Sequence, residues 1–207
     1  VDLQHWPLDL KKAIVLSPQL EPNLNLYYGP IWHLQFELLR LSDLETSIPE
    51  PKETEVTIQG NAILKAQYYA KETGMLALAD DGGLFVDALE GYPGVQSARI
   101  APTAEERMAL VIEKLKDVPE EKRTATFKTC LAIYDPRTEE TFTTTSGLAG
   151  TILREPIALE KSIMKYGYNR FFYVPEIQKA YGELTPQEKN RVSHRGMALQ
   201  RVKYFLI

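Results

Sequence analysis

The spacing of apolar residues along the chain predicts an alternation of strands and helices. Residues 13–16 form a short continuous apolar run, which is typical of a buried strand, while residues 31–41 predict either a strand or a short helix. Apolar positions recur at helical spacing over residues 57–74, and a glycine ends this stretch. Residues 75–79 then predict a strand. The Asp-Asp-Gly-Gly sequence at 80–83 would follow at its C-terminal end, which is where ligands bind in open α/β sheets.

The second half of the chain predicts both kinds of element. Two strands are predicted on either side of the turn signal Asp135-Pro136-Arg137, which indicates a hairpin. A capping box with proline at the first helical position, Thr185-Pro186-Gln187-Glu188, predicts the start of a helix. The predicted elements are a helix at 103–116, strands at 123–134, 140–148 and 171–174, and a C-terminal helix at 191–205. This order predicts an α/β fold on a central mixed sheet flanked by helices, and no linker divides residues 1–207, so we expect a single domain.

Composition and charge narrow the class of protein. No apolar run approaches the roughly 20 residues that span a bilayer, and no leader sequence opens the chain, so we expect a cytoplasmic protein without a membrane partner. The single cysteine, Cys130, cannot form an internal disulfide, which fits a reducing compartment. The net charge of −4 argues against a general nucleic-acid binder. A small polyanion bound through a metal ion is compatible with this charge, because the ion supplies positive charge.

The acid pair Asp80-Asp81 is the first candidate for chemistry. Two acids followed by two glycines indicate either a solvated turn or a site. The acidic, proline-punctuated segment around Glu50 favours a site, because Mg²⁺ prefers oxygen ligands and is typically held by one or two carboxylates together with substrate phosphates. Glu50 with Asp80 or Asp81 would suffice. One of these acids could also orient or deprotonate an attacking water.

Two downstream segments are candidates for substrate binding. Lys189, His194 and Arg195 either form a solvated helix face or present donors to a carbonyl or a phosphate. Residues 166–169, Tyr-Gly-Tyr-Asn, contain either packed core aromatics or a ring on which a base stacks. The glycine-rich residues 146–151 lack the spacing of a phosphate loop and predict a strand end with a tight turn.

Several separated motifs, in register over roughly residues 48 to 200, resemble the inosine/xanthosine triphosphate pyrophosphatase family. The motifs are Ile48-Pro49-Glu50, Asn61-Ala62-Ile63-Leu64-Lys65-Ala66, Leu78-Ala79-Asp80-Asp81-Gly82-Gly83-Leu84, Pro93-Gly94-Val95-Gln96-Ser97-Ala98-Arg99, Tyr166-Gly167-Tyr168-Asn169 and Ser193-His194-Arg195. The resemblance implies an elongated α/β fold with a central mixed sheet, two lobes and a cleft between them, and commonly a homodimer. It also implies Mg²⁺-dependent hydrolysis of non-standard purine nucleoside triphosphates (ITP, dITP, XTP) to the monophosphate and pyrophosphate.

The resemblance further implies roles for individual residues. Asp81 would be the general base and a metal-linked acid, with Glu50 and Asp80 as supporting acids of the metal site. Residues at the 166–169 segment would hold the base, and His194 and Arg195 would help to recognise the 6-oxo group of the purine. The implied substrate-binding residues are Gly82, Tyr166, Gly167, Tyr168, Asn169, Lys189, His194 and Arg195.

The chain departs from the family pattern just after its first strand. Family members normally carry a Thr/Ser-x-Asn-x-x-Lys loop there that binds the triphosphate, whereas residues 17–22 are Ser-Pro-Gln-Leu-Glu-Pro. A charge-assisted contact is worth about 1.5–3 kcal/mol, so we expect weaker triphosphate binding unless Lys161 or Lys165 substitutes. The leading hypothesis is a Mg²⁺-dependent pyrophosphatase. The alternatives are a divergent member that binds a nucleotide or a partner without turnover, and a phosphatase acting on a smaller phosphorylated substrate.

Overall fold

The computed structural model of the chain describes residues 13–16, 37–44, 47–158 and 167–206. These residues contain seven strands in one sheet and four α-helices. The strands are β1 (Ala13–Leu16), β2 (Glu37–Arg40), β3 (Leu76–Val86), β4 (Thr124–Tyr134), β5 (Thr141–Ile152), β6 (Phe172–Val174) and β7 (Lys179–Ala180). The helices are α1 (Ile58–Thr73), α2 (Ala104–Lys114), α3 (Pro186–Val192) and α4 (His194–Leu206). None of the described helices is long and apolar enough to cross a membrane.

The sheet is mixed, which confirms the predicted fold class. Its strand order is β2-β1-β3-β4-β5-β6-β7. β1 pairs in parallel with both β2 and β3, and β6 is antiparallel to both β5 and β7. β4 and β5 are neighbours joined by a short turn, which confirms the predicted hairpin. The sequence left open whether residues 31–41 form a strand or a short helix. Within their described part, residues 37–40 form the strand β2.

The described chain divides into two compact units. Unit 1 contains the described residues up to Asp81, Thr129–Ser146, and those from Arg195 onwards. Unit 2 contains Gly82–Lys128 and Gly147–His194. β3, β4 and β5 contribute residues to both units. The single domain over residues 1–207 stays a prediction.

Strand β3 is longer than the sequence predicts. It runs from Leu76 to Val86, so the prediction that residues 80–83 lie at a strand end is wrong. The two glycines do not make a turn. A Cβ on Gly83 would lie 2.1 Å from the backbone oxygen of Gly94, so this glycine allows a neighbouring segment to approach the strand closely. The prediction of a strand end and a tight turn at residues 146–151 is also wrong, because these residues continue β5.

Unit 1 contains α1, whose ends agree with the prediction. The Thr57 side chain accepts a hydrogen bond from the Gly60 amide at the N-terminus, and Gly74 adopts a left-handed conformation (φ 69°) after the last turn. The helix buries a face of small and aromatic residues. These residues are Ala62, Ala66, Tyr69 and Ala70.

Unit 2 has an apolar core of its own. The core includes Leu84, Val111, Phe127, Phe171, Phe172 and Tyr181. The capping box of Thr185 and Glu188 forms as predicted and starts α3. The predicted C-terminal helix is interrupted at Ser193, after which α4 begins at His194.

Candidate active site

Asp81 lies on β3 and contacts two side chains of α1. Its Oδ2 accepts a hydrogen bond from Asn61 Nδ2 at 3.2 Å, and its Oδ1 lies 3.4 Å from Lys65 Nζ. Asn61 and Lys65 are four residues apart, so they share one face of the helix. Asp81 is 8% exposed. The carboxylate is therefore largely buried, with one amide donor and one ammonium group beside it.

Lys65 joins Asp81 to a second acid, Glu53. The Lys65 ammonium donates to Glu53 Oε1 at 2.6 Å, and the side chains of Lys65 and Glu53 are 1% and 17% exposed. A buried ammonium requires such partners, because an unpaired buried charge is strongly unfavourable. We call Glu53, Asn61, Lys65 and Asp81 the Asp81 cluster.

Asn61 also fixes the segment that carries Glu53. Its Oδ1 accepts from the backbone N–H of Glu55 at 2.9 Å, and its Nδ2 lies 3.3 Å from the backbone oxygen of Glu55. Asn61 is fully buried. One amide side chain thus holds both the loop before α1 and the carboxylate of Asp81.

The surroundings of Asp81 suit a general base. Burial raises the pKa of this carboxyl above its ordinary value, while the charge of Lys65 and the hydrogen bond from Asn61 partly offset the effect. A raised pKa makes the ionised carboxylate a stronger proton acceptor, and the charge of Lys65 stabilises that ionised form.

Asp80 and Asp81 make different contacts. Consecutive residues of a strand point to opposite faces, and both acids lie within β3. Asp81 contacts α1, whereas Asp80 Oδ2 accepts a hydrogen bond from Arg195 Nε of α4 at 2.8 Å. The carboxylate of Asp80 is 0% exposed. The terminal turn in which both acids would face one ligand does not form.

The Asp81 cluster also offers oxygen ligands that fit Mg²⁺. No group of three or more His, Cys, Asp or Glu side chains within the described ranges could hold a metal ion by itself. Mg²⁺ does not need one, because one or two carboxylates plus substrate phosphates are a typical set. Asp81 and Glu53 share Lys65 and are partly accessible. Glu50 is exposed, and its metal role stays a prediction.

Two of the predicted substrate residues meet on aromatic rings in unit 2. The ring of His194 stacks on Phe127 with 5.3 Å between centroids and lies 6.2 Å from the Tyr181 ring. The Nζ of Lys189 lies 5.6 Å from the centre of the same Tyr181 ring. We call Phe127, Tyr181, Lys189 and His194 the Lys189 cluster. The structure favours a packed site over a solvated helix face for Lys189 and His194.

Lys189 has no carboxylate partner among the described residues. Its ammonium is partly buried against Tyr181, and this burial lowers its pKa. A half-buried cation that no described carboxylate neutralises can bind an anionic ligand without first breaking an ion pair. This is the arrangement expected of a substrate-binding lysine.

Tyr168 is packed into unit 2. Its hydroxyl donates to the backbone oxygen of Ser97 at 2.8 Å, and its ring packs edge-on against the buried Phe171. Burial raises the pKa of Tyr168. Gly167 lies close to Ala104, where a Cβ would be 2.6 Å from the backbone oxygen. For Tyr168 the structure favours the core-aromatic interpretation.

The remaining predicted residues differ in what the structure describes. Asn169 is partly buried in a short helical turn, and Gly82 is a partly buried residue of β3. Tyr166, the altered loop at residues 17–22, and both Lys161 and Lys165 lie outside the described residues. Their predicted roles stay predictions.

Three residues of the Asp81 cluster were not assigned a role from the sequence. Asn61 and Lys65 could have been found from their four-residue spacing on a predicted helix. Glu53 had no such signal, because it is one of several acids in the same loop as Glu50. The contact with Lys65 distinguishes it from Glu50, which is exposed.

Comparison with known proteins gives one consistent result. The Ham1 family profile matches residues 28–205. A dITP/XTP pyrophosphatase of Dictyoglomus thermophilum is 35% identical over 198 residues, which are 95% of each chain. A dITP/XTP pyrophosphatase of Lactiplantibacillus plantarum is 42% identical over 158 residues, covering 75% of this chain and 76% of the relative. A solved HAM1 protein from Coxiella burnetii has a TM-score of 0.83 and 36% identity, covering 94% of this chain and 98% of that one.

Proposed function

The chain belongs to the Ham1 family, and on that premise we propose that it hydrolyses non-standard purine nucleoside triphosphates, such as dITP and XTP, to the monophosphate and pyrophosphate. Relatives that carry the name dITP/XTP pyrophosphatase support this substrate class. We further propose that the enzyme uses Mg²⁺ and acts in the cytoplasm as a homodimer. The family resemblance supports Mg²⁺ and the homodimer, and the single cysteine, Cys130, fits a reducing compartment.

The Asp81 cluster is the observation that carries the proposal. Hydrolysis of a phosphoanhydride requires a group that accepts a proton from water as the water attacks phosphorus. Asp81 has a raised pKa and partial access to solvent, and two donors of α1 orient it. No other acid among the described residues combines these features with a buried lysine.

Different residues of the chain have different roles in the proposed reaction. Asp81 would accept a proton from water while the water oxygen bonds to the α-phosphorus. The bond between the α-phosphorus and the oxygen that bridges it to the β-phosphorus breaks, and pyrophosphate leaves. Lys65 and Asn61 hold the carboxylate in one orientation. Asp81 and Glu53 would hold Mg²⁺, which when bound neutralises phosphate charge and makes a bound water more acidic.

We assign substrate binding to Lys189 and His194 of the Lys189 cluster and to Arg195. Lys189 offers an ammonium that no described carboxylate neutralises, and His194 lies beside it on the same aromatic rings. Arg195 presents a guanidinium, which only donates hydrogen bonds and therefore suits the 6-oxo group of inosine or xanthine bases.

Pyrophosphate release from ITP, dITP, XTP, ATP and GTP, with and without Mg²⁺, tests the proposal. Asp81→Asn keeps the shape of the side chain and removes the proton acceptor, so turnover should fall by a factor on the order of 10³ while the fold is retained. Asp117→Asn is the matched control, because Asp117 is an exposed acid outside the site. Metal-dependent release that prefers ITP, dITP or XTP supports the proposal, and full activity of Asp81→Asn contradicts it.

The altered loop at residues 17–22 motivates the second candidate function. The chain has Glu21 and no lysine in a segment where the family normally binds the triphosphate. Tight binding of inosine or xanthosine nucleotides without Mg²⁺-dependent turnover would identify a nucleotide-binding protein. The same panel therefore separates the two candidates.

A further inference from the structure

We infer that Asp80 is the positioning residue of Arg195 and not a metal ligand, and that this pair sets how strongly the protein prefers 6-oxo over 6-amino purines. This inference rests on the proposed function, because it concerns base selection by the same enzyme. It differs from the role that the family resemblance implies for Asp80.

The first argument is the direction of the Asp80 side chain. Alternation along β3 directs Asp80 away from the side of the strand on which Asp81 contacts Asn61 and Lys65. Its carboxylate is 0% exposed. An ion held by Asp81 and Glu53 is therefore on the other side of the strand from Asp80.

The second argument is the partner of Asp80. Oδ2 accepts from Arg195 Nε, whereas Oδ1 has no hydrogen-bond partner among the described residues. The bond to Arg195 is thus the one hydrogen bond that the described residues make to this carboxylate. Burying a carboxylate without a counter-charge is strongly unfavourable, so Arg195 stabilises the buried Asp80. The same contact restrains the Arg195 side chain.

The third argument is the position of Arg195 on its helix. Arg195 is the second residue of α4, where the positive end of the helix dipole disfavours a cation. The Asp80 carboxylate compensates for this position. Since the guanidinium is planar, a bond at Nε fixes the plane in which its other N–H groups lie. The side chain is 24% exposed, so a ligand can reach it.

The consequence concerns the atom at purine position 6. A guanidinium only donates hydrogen bonds, so it pairs with a 6-oxo group and leaves a 6-amino group without an acceptor. Discrimination of this kind depends on a donor that cannot move to avoid the mismatch. Asp80 supplies that restraint.

The test measures base preference and metal requirement separately. The readouts are the ratio of kcat/KM for ITP to that for ATP, and the Mg²⁺ concentration that gives half-maximal activity. Asp80→Asn should lower the ratio on the order of 10-fold, because it replaces a charge-assisted bond with a neutral one. The half-maximal Mg²⁺ concentration should stay unchanged.

A double-mutant cycle tests whether the two residues act as a unit. Arg195→Gln should lower the ratio at least as much as Asp80→Asn, and the double variant should be no worse than Arg195→Gln alone. The inference would be overturned if the two substitutions lowered the ratio additively, or if Asp80→Asn left the ratio unchanged. It would also be overturned if Asp80→Asn raised the Mg²⁺ requirement equally for ITP and ATP. The free energy of unfolding of the same variants, measured without metal or nucleotide, should also change non-additively, because the two side chains contact each other.

Two further measurements keep the test decisive. If Asp80→Asn does not fold, Arg195→Lys replaces it, since lysine keeps the charge but lacks the planar donor set; a retained ITP preference in Arg195→Lys overturns the inference. A wild-type protein that hydrolyses no triphosphate refutes the proposed function itself. An active wild type with unaltered preference in these variants refutes only the role of Asp80.

Discussion

The two charged clusters of the molecule differ in whether their charges are paired. In the Asp81 cluster, Lys65 is buried between two carboxylates, so acid and base largely satisfy each other. In the Lys189 cluster, the ammonium lies over the ring of Tyr181 and has no carboxylate partner in the described part of the chain. A cluster that is internally paired is suited to hold a catalytic group in one orientation. A cation held by an aromatic ring is suited to accept an anion from outside.

Removing Lys65 should have the largest effect on stability. Lys65→Met keeps the aliphatic bulk but leaves the carboxylates of Asp81 and Glu53 without their shared ammonium. Removing one partner of a buried ion pair costs about 3–5 kcal/mol. Urea unfolding measures the loss, with Lys71→Met as the control, because Lys71 is an exposed residue of the same helix. Equal stability of the two variants would show that the Asp81 cluster is not internally paired.

Removing Lys189 should affect substrate binding more than folding. Lys189→Met preserves packing on Tyr181 and removes the charge, so KM for the triphosphate should rise on the order of 10-fold with kcat little changed. Arg191→Met is the matched control, since Arg191 is an exposed cation of the same helix. An unchanged KM in Lys189→Met would contradict the comparison, because the cation would then have no external anion to bind.

The hydroxyl of Tyr168 provides a smaller test in unit 2. Tyr168→Phe removes the hydrogen bond to the backbone oxygen of Ser97 and should destabilise the protein by about 1 kcal/mol. Tyr68→Phe is the control, because no hydrogen bond involves the Tyr68 hydroxyl in the described structure. If the two variants unfold at the same urea concentration, the Tyr168 hydroxyl has no structural role. That result would favour the predicted contact of Tyr168 with the substrate base.

Local signals in the sequence predicted the ends of helices well. Thr57 and Gly74 bound α1, and the capping box at Thr185 and Glu188 starts α3, because each of these signals acts within a few residues. The order of strands and helices also gave the α/β class, since it depends on the period of apolar residues alone.

The site was harder to predict because long-range contacts decide it. The Asp-Asp-Gly-Gly sequence has the residue types of a turn, but these residues continue β3, which lies beside β4 in the sheet. The continued strand then separates Asp80 from Asp81. Similarly, Glu50 and Glu53 have the same chemistry in the same loop, and only the position of α1 brings Glu53 to Lys65.

The smallest expected effect concerns a partly exposed pair that anchors α3, the helix that carries Lys189. The ammonium of Lys179 and the backbone N–H of Thr185 lower the pKa of Glu188 from 4.5 to about 2. A carboxyl whose pKa is lower in the folded state binds fewer protons there, so its stabilising effect is present above pH 4.5 and is lost as the pH falls through about 2. Thermal unfolding of Glu188→Gln should therefore vary less with pH in this window than that of the wild type. Glu176→Gln, which changes an exposed acid nearby in the chain, should keep the wild-type slope. An identical pH dependence in Glu188→Gln and wild type would show that the pair does not anchor the helix.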